Sequence, residues 1–435
     1  MNMISQNELE KRRRQEQRFI DKETQTAAKY LRRIAELPGA PESITPFLST
    51  LERIYVNLQG VYTNRPTVGT YCVMTPQELI YAAGAMPVKL CSGNYTAFSI
   101  GDDVTPRDAC PLVKAVAGFL QTGLMPVYRD CKMMVLPVTC DCKKKIAGML
   151  KNSCNLMTMH IPASRGDDDI DEYIRQLYEL MARLEDATGN AITYDTLAEG
   201  FRMVGRAQYE LSEFIRLKKN TPYLIRGTHA MAMMNAASYM QADMWAYAMS
   251  RVNAELKQKA KNKQTVTGKE LPRILLTGSP IVFPNLKIPL IIEEMGGIVA
   301  GDETCMGERG MWDPAVIVDD SFDGMMRALA NRALRPCPCP TFADNSQRLF
   351  RLKQLIKDNH IQGVIYHVLR GCLVYDFEYK KIEEELGKLG IPVIRLESDY
   401  NEEDIEQLRI RIEAFIELIK LRQAPVRRKG VRQTI

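Results

Sequence analysis

Eleven cysteines stand in a chain of 435 residues that has only four histidines. So many thiols ask for a chemical explanation before a packing one. Seven are marked by position: Cys72, Cys91, Cys110, Cys140, Cys305, Cys339 and Cys372. Thiolates are the natural ligands of iron–sulfur clusters, and they form where backbone N–H groups at a helix N-terminus favour negative charge. Cys110 before Pro111 and Cys339 before Pro340 have that pattern, since proline at the first helical position costs no hydrogen bond. Cys91 and Cys140 instead follow short apolar runs, at Val88–Leu90 and Met133–Val138, where a strand end would make a rigid platform. There is no compact ferredoxin-type cysteine run, so ligands must be gathered from distant loops. Zinc is the other metal such a set could take. His160, His229, His360 and His367 have no paired spacing, which argues against a Cys/His site but leaves an all-cysteine site open. Cys140-Asp141-Cys142 and Cys337-Pro338-Cys339 are too tight for both members to bind one iron, so Cys142 and Cys337, with Cys131 and Cys154, are assigned structural or supporting places.

The elements that would position these thiols follow from the apolar pattern. Residues 1–66 form a helical lead-in, broken at Pro38-Gly39-Ala40-Pro41. From Thr67 short apolar runs alternate with amphipathic stretches, the mark of an α/β domain over 67–163. Thr75-Pro76-Gln77-Glu78 predicts a capping box opening a helix just after Cys72. Leu156–Ile161 is a further strand. Residues 164–265 lose the strand pattern: Ile170, Tyr173, Leu177, Leu180 and Leu184 recur at helical spacing, and a methionine-rich helix with Met231, Met234, Met244 and Met249 closes the segment as core filler. Strands return over 266–435, at Arg273–Thr277, Ile298–Ala300, Gly363–Val368 and Val393–Leu396, before a last helix that carries Ile405, Leu408, Ile412, Phe415 and Ile419.

A weak internal repeat links the two α/β stretches. Strand, Cys72, helix, strand, Cys91, Cys110-Pro111 and a strand ending at Cys140 are answered by strand, Ser279-Pro280, helix, strand, Cys305, Cys339-Pro340 and a strand ending at Cys372. Cys110 to Cys140 spans 30 residues and Cys339 to Cys372 spans 33. The predicted fold is therefore α/β, with two facing Rossmann-like or flavodoxin-like open sheets, each holding its cysteines beyond the strand ends where such sheets bind ligands.

Composition bounds the rest. With 46% hydrophobic and 26% charged residues the chain is an ordinary globular protein, and a net charge of +5 makes no case for nucleic acid. Lys11-Arg12-Arg13-Arg14 and Arg427-Arg428-Lys429 are expected as solvated faces or tails. The charged stretch Glu8–Arg18 is unlike a secretory leader, and the apolar runs at Ile274–Leu276 and Pro289–Ile292 are too short to span a bilayer. The expectation is a cytoplasmic protein with no membrane partner, where eleven cysteines are not a disulfide framework.

Several stretches carry a family resemblance. Tyr71-Cys72-Val73-Met74-Thr75-Pro76-Gln77-Glu78-Leu79-Ile80-Tyr81-Ala82-Ala83-Gly84-Ala85 resembles the opening motif of the 2-hydroxyacyl-CoA dehydratase and benzoyl-CoA reductase family, in its D-component-like members. Ala109-Cys110-Pro111-Leu112-Val113-Lys114, Thr139-Cys140-Asp141 before Lys143-Lys144-Lys145, and Leu396-Glu397-Ser398-Asp399-Tyr400 before Gln407–Phe415 resemble it too, over about residues 67 to 420. The resemblance implies an oxygen-labile cluster and an ATP-hydrolysing iron–sulfur activator protein that delivers electrons. In the heterodimeric dehydratases a single 4Fe-4S cubane is held by cysteines matching Cys110, Cys140 and Cys372. The added Cys91, Cys305 and Cys339 resemble the single-subunit double-cubane cluster proteins, in which two cubanes share a sulfide as 8Fe-9S and six thiolates are wanted. Seven candidates then compete for six places; the opening motif favours Cys72 and the repeat favours Cys91.

Three functions follow as expectations. One is a homodimeric double-cubane reductase that passes low-potential electrons to a small molecule. Another is a subunit of a heterodimeric 2-hydroxyacyl-CoA dehydratase, expelling water from an acyl-CoA through a ketyl radical. The third is a non-catalytic cluster carrier or zinc scaffold. Among the other polar residues, Glu78 is expected as a cap, His367 as core, Lys143–Lys145 as exposed or activator-steering, and Glu308 and Arg309 as supports beside Cys305.

Overall fold

The structure, a computed structural model, describes residues 6–423 apart from 152–153, 222, 312 and 337–338. Cys337 and the basic run Arg427–Lys429 lie outside the described residues. Of the N-terminal basic run, Lys11, Arg13 and Arg14 are exposed as expected. The chain opens with two helices, α1 (Gln6–Glu36) and α2 (Thr45–Tyr55). On α1 the residues Ala27, Tyr30, Leu31 and Ile34 are buried, the stripe that helical periodicity lays on one face.

The first open sheet follows: β1 (Thr67–Thr70), α3 (Gln77–Ala82), β2 (Met86–Lys89), α4 (Tyr95–Asp102), α5 (Pro111–Thr122), α6 (Pro126–Arg129), β3 (Cys131–Val138), α7 (Asp141–Leu150) and β4 (Leu156–His160). Four helices come next, α8 (Asp167–Thr188), α9 (Tyr194–Asn220), α10 (Gly227–Ala236) and α11 (Ala242–Lys261). The second sheet is built from β5 (Arg273–Gly278), α12 (Lys287–Glu294), β6 (Ile298–Glu303), α13 (Phe322–Leu334), α14 (Ser346–Asp358), β7 (Gly363–Leu369), α15 (Leu373–Gly387) and β8 (Val393–Ser398), and α16 (Ile405–Gln423) closes the chain.

Both sheets are four-stranded and parallel, with orders β2-β1-β3-β4 and β6-β5-β7-β8. The identical order bears out two Rossmann- or flavodoxin-like units. Parallel strands are covered on both faces, and the sequence supplies continuous apolar runs for that: Ile274, Leu275 and Leu276 are fully buried, as is every residue of β7. The order also fixes the place for a ligand. Strand order reverses between β1 and β3 and again between β5 and β7, and a crevice opens there beyond the carboxyl ends.

Two glycines set the approach of α4 to α5. A Cβ at Gly101 would meet the Lys114 carbonyl oxygen at 1.9 Å, and one at Gly118 would meet that of Ala97 at 1.9 Å. Glycine at both positions lets α5, and Cys110 at its start, lie backbone to backbone against α4.

The helical stripe of α8 holds, with Ile170, Tyr173, Leu177, Leu180 and Leu184 all buried. The methionine-rich segment is two helices rather than one: Met231 and Met234 lie in α10, Met244 and Met249 in α11, and Met244 is exposed. A different correction concerns α3. The capping box does not form, since Pro76 occupies the N-cap without a side-chain cap bond and the Thr75 hydroxyl is buried without a partner. Glu78 is instead buried and clamped by Arg332 of α13, with Nη2 donating to Oε2 at 2.7 Å. A long-range ion pair has displaced the local cap, and it ties α3 to the second half of the chain.

His229 of α10 anchors α1, its Nε2 donating 2.9 Å to the Ile34 carbonyl while Nδ1 is buried without a partner. Burial pushes its pKa down to about 4. A histidine with a depressed folded pKa contributes stability above its unfolded value near 6.5 and loses it as pH falls toward 4. The expected loss over that window is on the order of 3 kcal/mol. His229→Gln should flatten that part of the stability-against-pH curve, measured by urea unfolding at successive pH values.

Candidate metal centre

The carboxyl ends of the two sheets enclose a cavity of about 310 Å³, and all seven positional cysteines line it. Cys72 follows β1, Cys91 follows β2, Cys140 follows β3, Cys305 follows β6 and Cys372 follows β7, each two or three residues beyond its strand. Cys142, set aside on spacing, lines the cavity as well. Cys131 and Cys154 pack against the apolar core.

Three of the seven also cap helices: Cys110 precedes α5, Cys140 precedes α7 and Cys372 precedes α15. The N-terminal amides of three helices thus converge on one side of the cavity. Cys339 is different. The helix expected at Cys339-Pro340 does not begin there; the segment makes a turn, and α14 starts at Ser346. The repeat departs at this point: α5 begins directly at Cys110-Pro111, whereas α14 begins six residues beyond Pro340.

The thiols fall into two groups. Cys110 and Cys372 share a hydrogen bond, and both are influenced by the charge of Cys140 or influence it in turn. Cys72 lies close enough to Cys91, Cys305 and Cys339 to influence each of them. Hydrogen bonds from Cys110, the Tyr375 amide and Ser279 bring the Cys372 thiol down to about 7. Its partner Cys110 is pushed up by the same bond and by burial. Burial raises Cys91 to about 12 and Cys339 to about 11, the latter against the pull of Arg309. Cys91 is the deepest of the set, 6% exposed, with Sγ directed at the Tyr71 carbonyl 3.8 Å away.

Basic groups complete the walls: Lys89, Lys143 and Arg309. Lys143 Nζ donates to the Tyr71 carbonyl at 3.1 Å, whereas Lys144 and Lys145 are exposed. Arg309 is held from behind by Glu303, at 2.9 Å, and its Nη2 donates 2.6 Å to the Tyr375 hydroxyl. Behind it Arg348 bridges Glu303 and Glu378 in a fully buried network. Glu308 turns away to pair with Lys218 of α9. His367 is core, as expected, with Nε2 2.8 Å from Ser398 Oγ and Nδ1 facing the Ser279 carbonyl. Lys89 and the Glu303–Arg348–Glu378 network were not foreseen. The one signal for Lys89 was a lysine closing an otherwise apolar strand.

Among the described residues no three cysteine, histidine or carboxylate groups converge closely enough to hold a single metal ion. Seven thiols spread around one cavity fit a polynuclear, thiolate-bound cofactor better than a lone zinc, which draws four ligands to about 2.3 Å.

The chain belongs to the 2-hydroxyglutaryl-CoA dehydratase D-component family, which matches residues 72–419. It is 30% identical to a protein of Escherichia coli (strain K12) described provisionally as a dehydratase subunit, over 81% of this chain and 91% of that one. It is 23% identical to the (R)-phenyllactyl-CoA dehydratase beta subunit of Clostridium sporogenes, over 84% and 95%, and 20% identical to one of the subunits of benzoyl-CoA reductase from Thauera aromatica, over 82% and 92%. The family is thus one of dehydratase- and reductase-type enzymes. No described helix is long and apolar enough to cross a membrane.

Proposed function

We propose that the chain is an iron–sulfur reductase of the double-cubane type, a cytoplasmic homodimer that accepts electrons from an ATP-hydrolysing iron–sulfur activator and reduces a small molecule. One observation carries this reading: seven thiols line one cavity in two groups. Cys110, Cys140 and Cys372 would hold one cubane at the three helix N-termini. Cys72, Cys305 and Cys339 would hold the other, leaving Cys91, deepest and turned to the Tyr71 carbonyl, outside the ligand set. Bound there, the cluster supplies low-potential electron storage and transfer. The chain's own part is to supply thiolates, hold them on two rigid sheets at 67–163 and 266–435, and limit solvent access.

A second reading is a dehydratase subunit with a single cubane on Cys110, Cys140 and Cys372 and an acyl-CoA substrate. What favours it is that the (R)-phenyllactyl-CoA dehydratase relative is a beta subunit. Anaerobic purification with iron and sulfide quantitation separates the two. About eight irons per chain is expected for two cubanes; about four would overturn the double-cubane reading in favour of the single one, and zinc without iron would overturn both.

A further inference from the structure

The internal repeat places Lys89 and Glu303 at equivalent points, each at the end of its strand and two residues before a cysteine, Cys91 or Cys305. Their surroundings differ. Glu303 belongs to a matched set of charges: two buried carboxylates, Glu303 and Glu378, against two buried guanidinia, Arg309 and Arg348. Lys89 has no such match. It is 9% exposed, and its Nζ reaches across to the Cys305 loop, 3.2 Å from where a Cβ at Gly310 would stand. Lys143 also extends into the cavity, bonded to a backbone carbonyl. Among the described residues neither lysine pairs with a carboxylate, and Asp141, the one carboxylate lining the cavity, is exposed. Two positive charges therefore face an enclosure of thiols from the first half of the chain alone.

Burying a charge without a partner is costly, so such groups persist where an opposite charge meets them. We propose that Lys89 and Lys143 are the counter-charges of an anionic cofactor in this cavity and hold its reduction potential up. The inference rests on the cluster reading above. A thiolate-ligated cluster is negative and gains one more negative charge on reduction, so nearby cations favour the reduced state over the oxidised one. Lys89 lies near Cys72, Cys91 and Cys305, so its effect falls chiefly on the cubane assigned to Cys72, Cys305 and Cys339; Lys143 lies near Cys140 as well and acts on both cubanes.

The test uses the full-length chain, purified anaerobically, with Lys89→Met, Lys143→Met, the double variant and the charge-keeping Lys89→Arg and Lys143→Arg. Midpoint potentials come from dye-mediated titration followed by electron paramagnetic resonance. Lys89→Met is expected to shift one midpoint to more negative potential and Lys143→Met to shift both, with the double variant further still and the Arg variants near wild type. The melting temperature of the metal-free chain is expected to rise in the Met variants, because an unmatched charge has gone, and that of the iron-loaded chain to fall. Full iron content with unshifted midpoints overturns the inference while leaving the cluster reading standing. A wild-type chain that takes up no iron overturns the cluster reading, and the metal-free melting temperatures then decide the lysines: no rise in the Met variants overturns the unmatched charge itself.

Discussion

On the double-cubane proposal, Cys372→Ala is expected to reduce the iron content from about eight to about four per chain, because it removes the thiol best prepared to ligate one of the two proposed four-iron units. Cys372 combines three causes that favour the thiolate: the Cys110 thiol bonded to it, the Tyr375 amide and the Ser279 hydroxyl, which together outweigh burial and bring it to about 7. It also stands at the N-terminus of α15. Cys110→Ala should act on the same cubane, and the double variant should lose no more iron than either single one. Cys91→Ala is expected to keep the full complement, since that thiol is buried, raised to about 12 and directed at a carbonyl. Iron and sulfide assays on anaerobically purified variants check all of these. Unchanged iron in Cys372→Ala, or a loss of half in Cys91→Ala, would reverse the ligand assignment.

The sheets were legible because each parallel strand buries both faces and writes an unbroken apolar run, and because loops after strand ends recur at matching distances in the two halves. β7, read as Gly363–Val368, forms as Gly363–Leu369, and β8, read as Val393–Leu396, as Val393–Ser398. The convergence of the cysteines was legible for the same reason: two related open sheets have their ligand crevices at related places, so cysteines scattered by more than 200 residues fall on one cavity.

What stayed hidden was the choice of partners at long range. Thr75 and Glu78 have the spacing of a cap, but Arg332, 254 residues away, takes the carboxylate, and a bidentate guanidinium contact to a buried group outweighs a bond to one backbone amide. Cys339-Pro340 has the local signal of a helix start, yet the segment turns and α14 begins only at Ser346. The division of the thiols was legible only in part, since the family resemblance set Cys110, Cys140 and Cys372 together but left Cys72 and Cys91 competing for the other group. Cys110, Cys140 and Cys372 are grouped by three helix ends, and only the packing of the two halves puts Cys72 beside Cys305 and Cys339.

The same asymmetry governs stability. Arg348→Leu is expected to destabilise the protein by about 3–5 kcal/mol at pH 7, the cost of breaking a buried ion pair by removing one partner. Arg348 is fully buried, bridges Glu303 and Glu378, and donates 2.8 Å to the Thr277 hydroxyl. Burial alone would push Glu303 upward, but Arg309 and Arg348 outweigh it and hold the carboxyl below its usual range. A carboxylate with a depressed folded pKa contributes stability above its unfolded value, and that contribution is lost as pH falls through the folded one. In Arg348→Leu the support is halved, so the deficit should be largest near neutrality and shrink as acid protonates the stranded carboxyls. Adding Glu303→Gln to Arg348→Leu should recover much of the loss at pH 7, because the stranded charge is then gone. Urea unfolding of both variants at pH 7 and near pH 4.5 measures this. A loss that is equal at both pH values, or a double variant no more stable than the single one, would mean that Arg348 acts through packing rather than as the counter-charge of Glu303, and Arg309 would then be positioned at the cavity by Tyr375 and the chain around it instead of by the buried network.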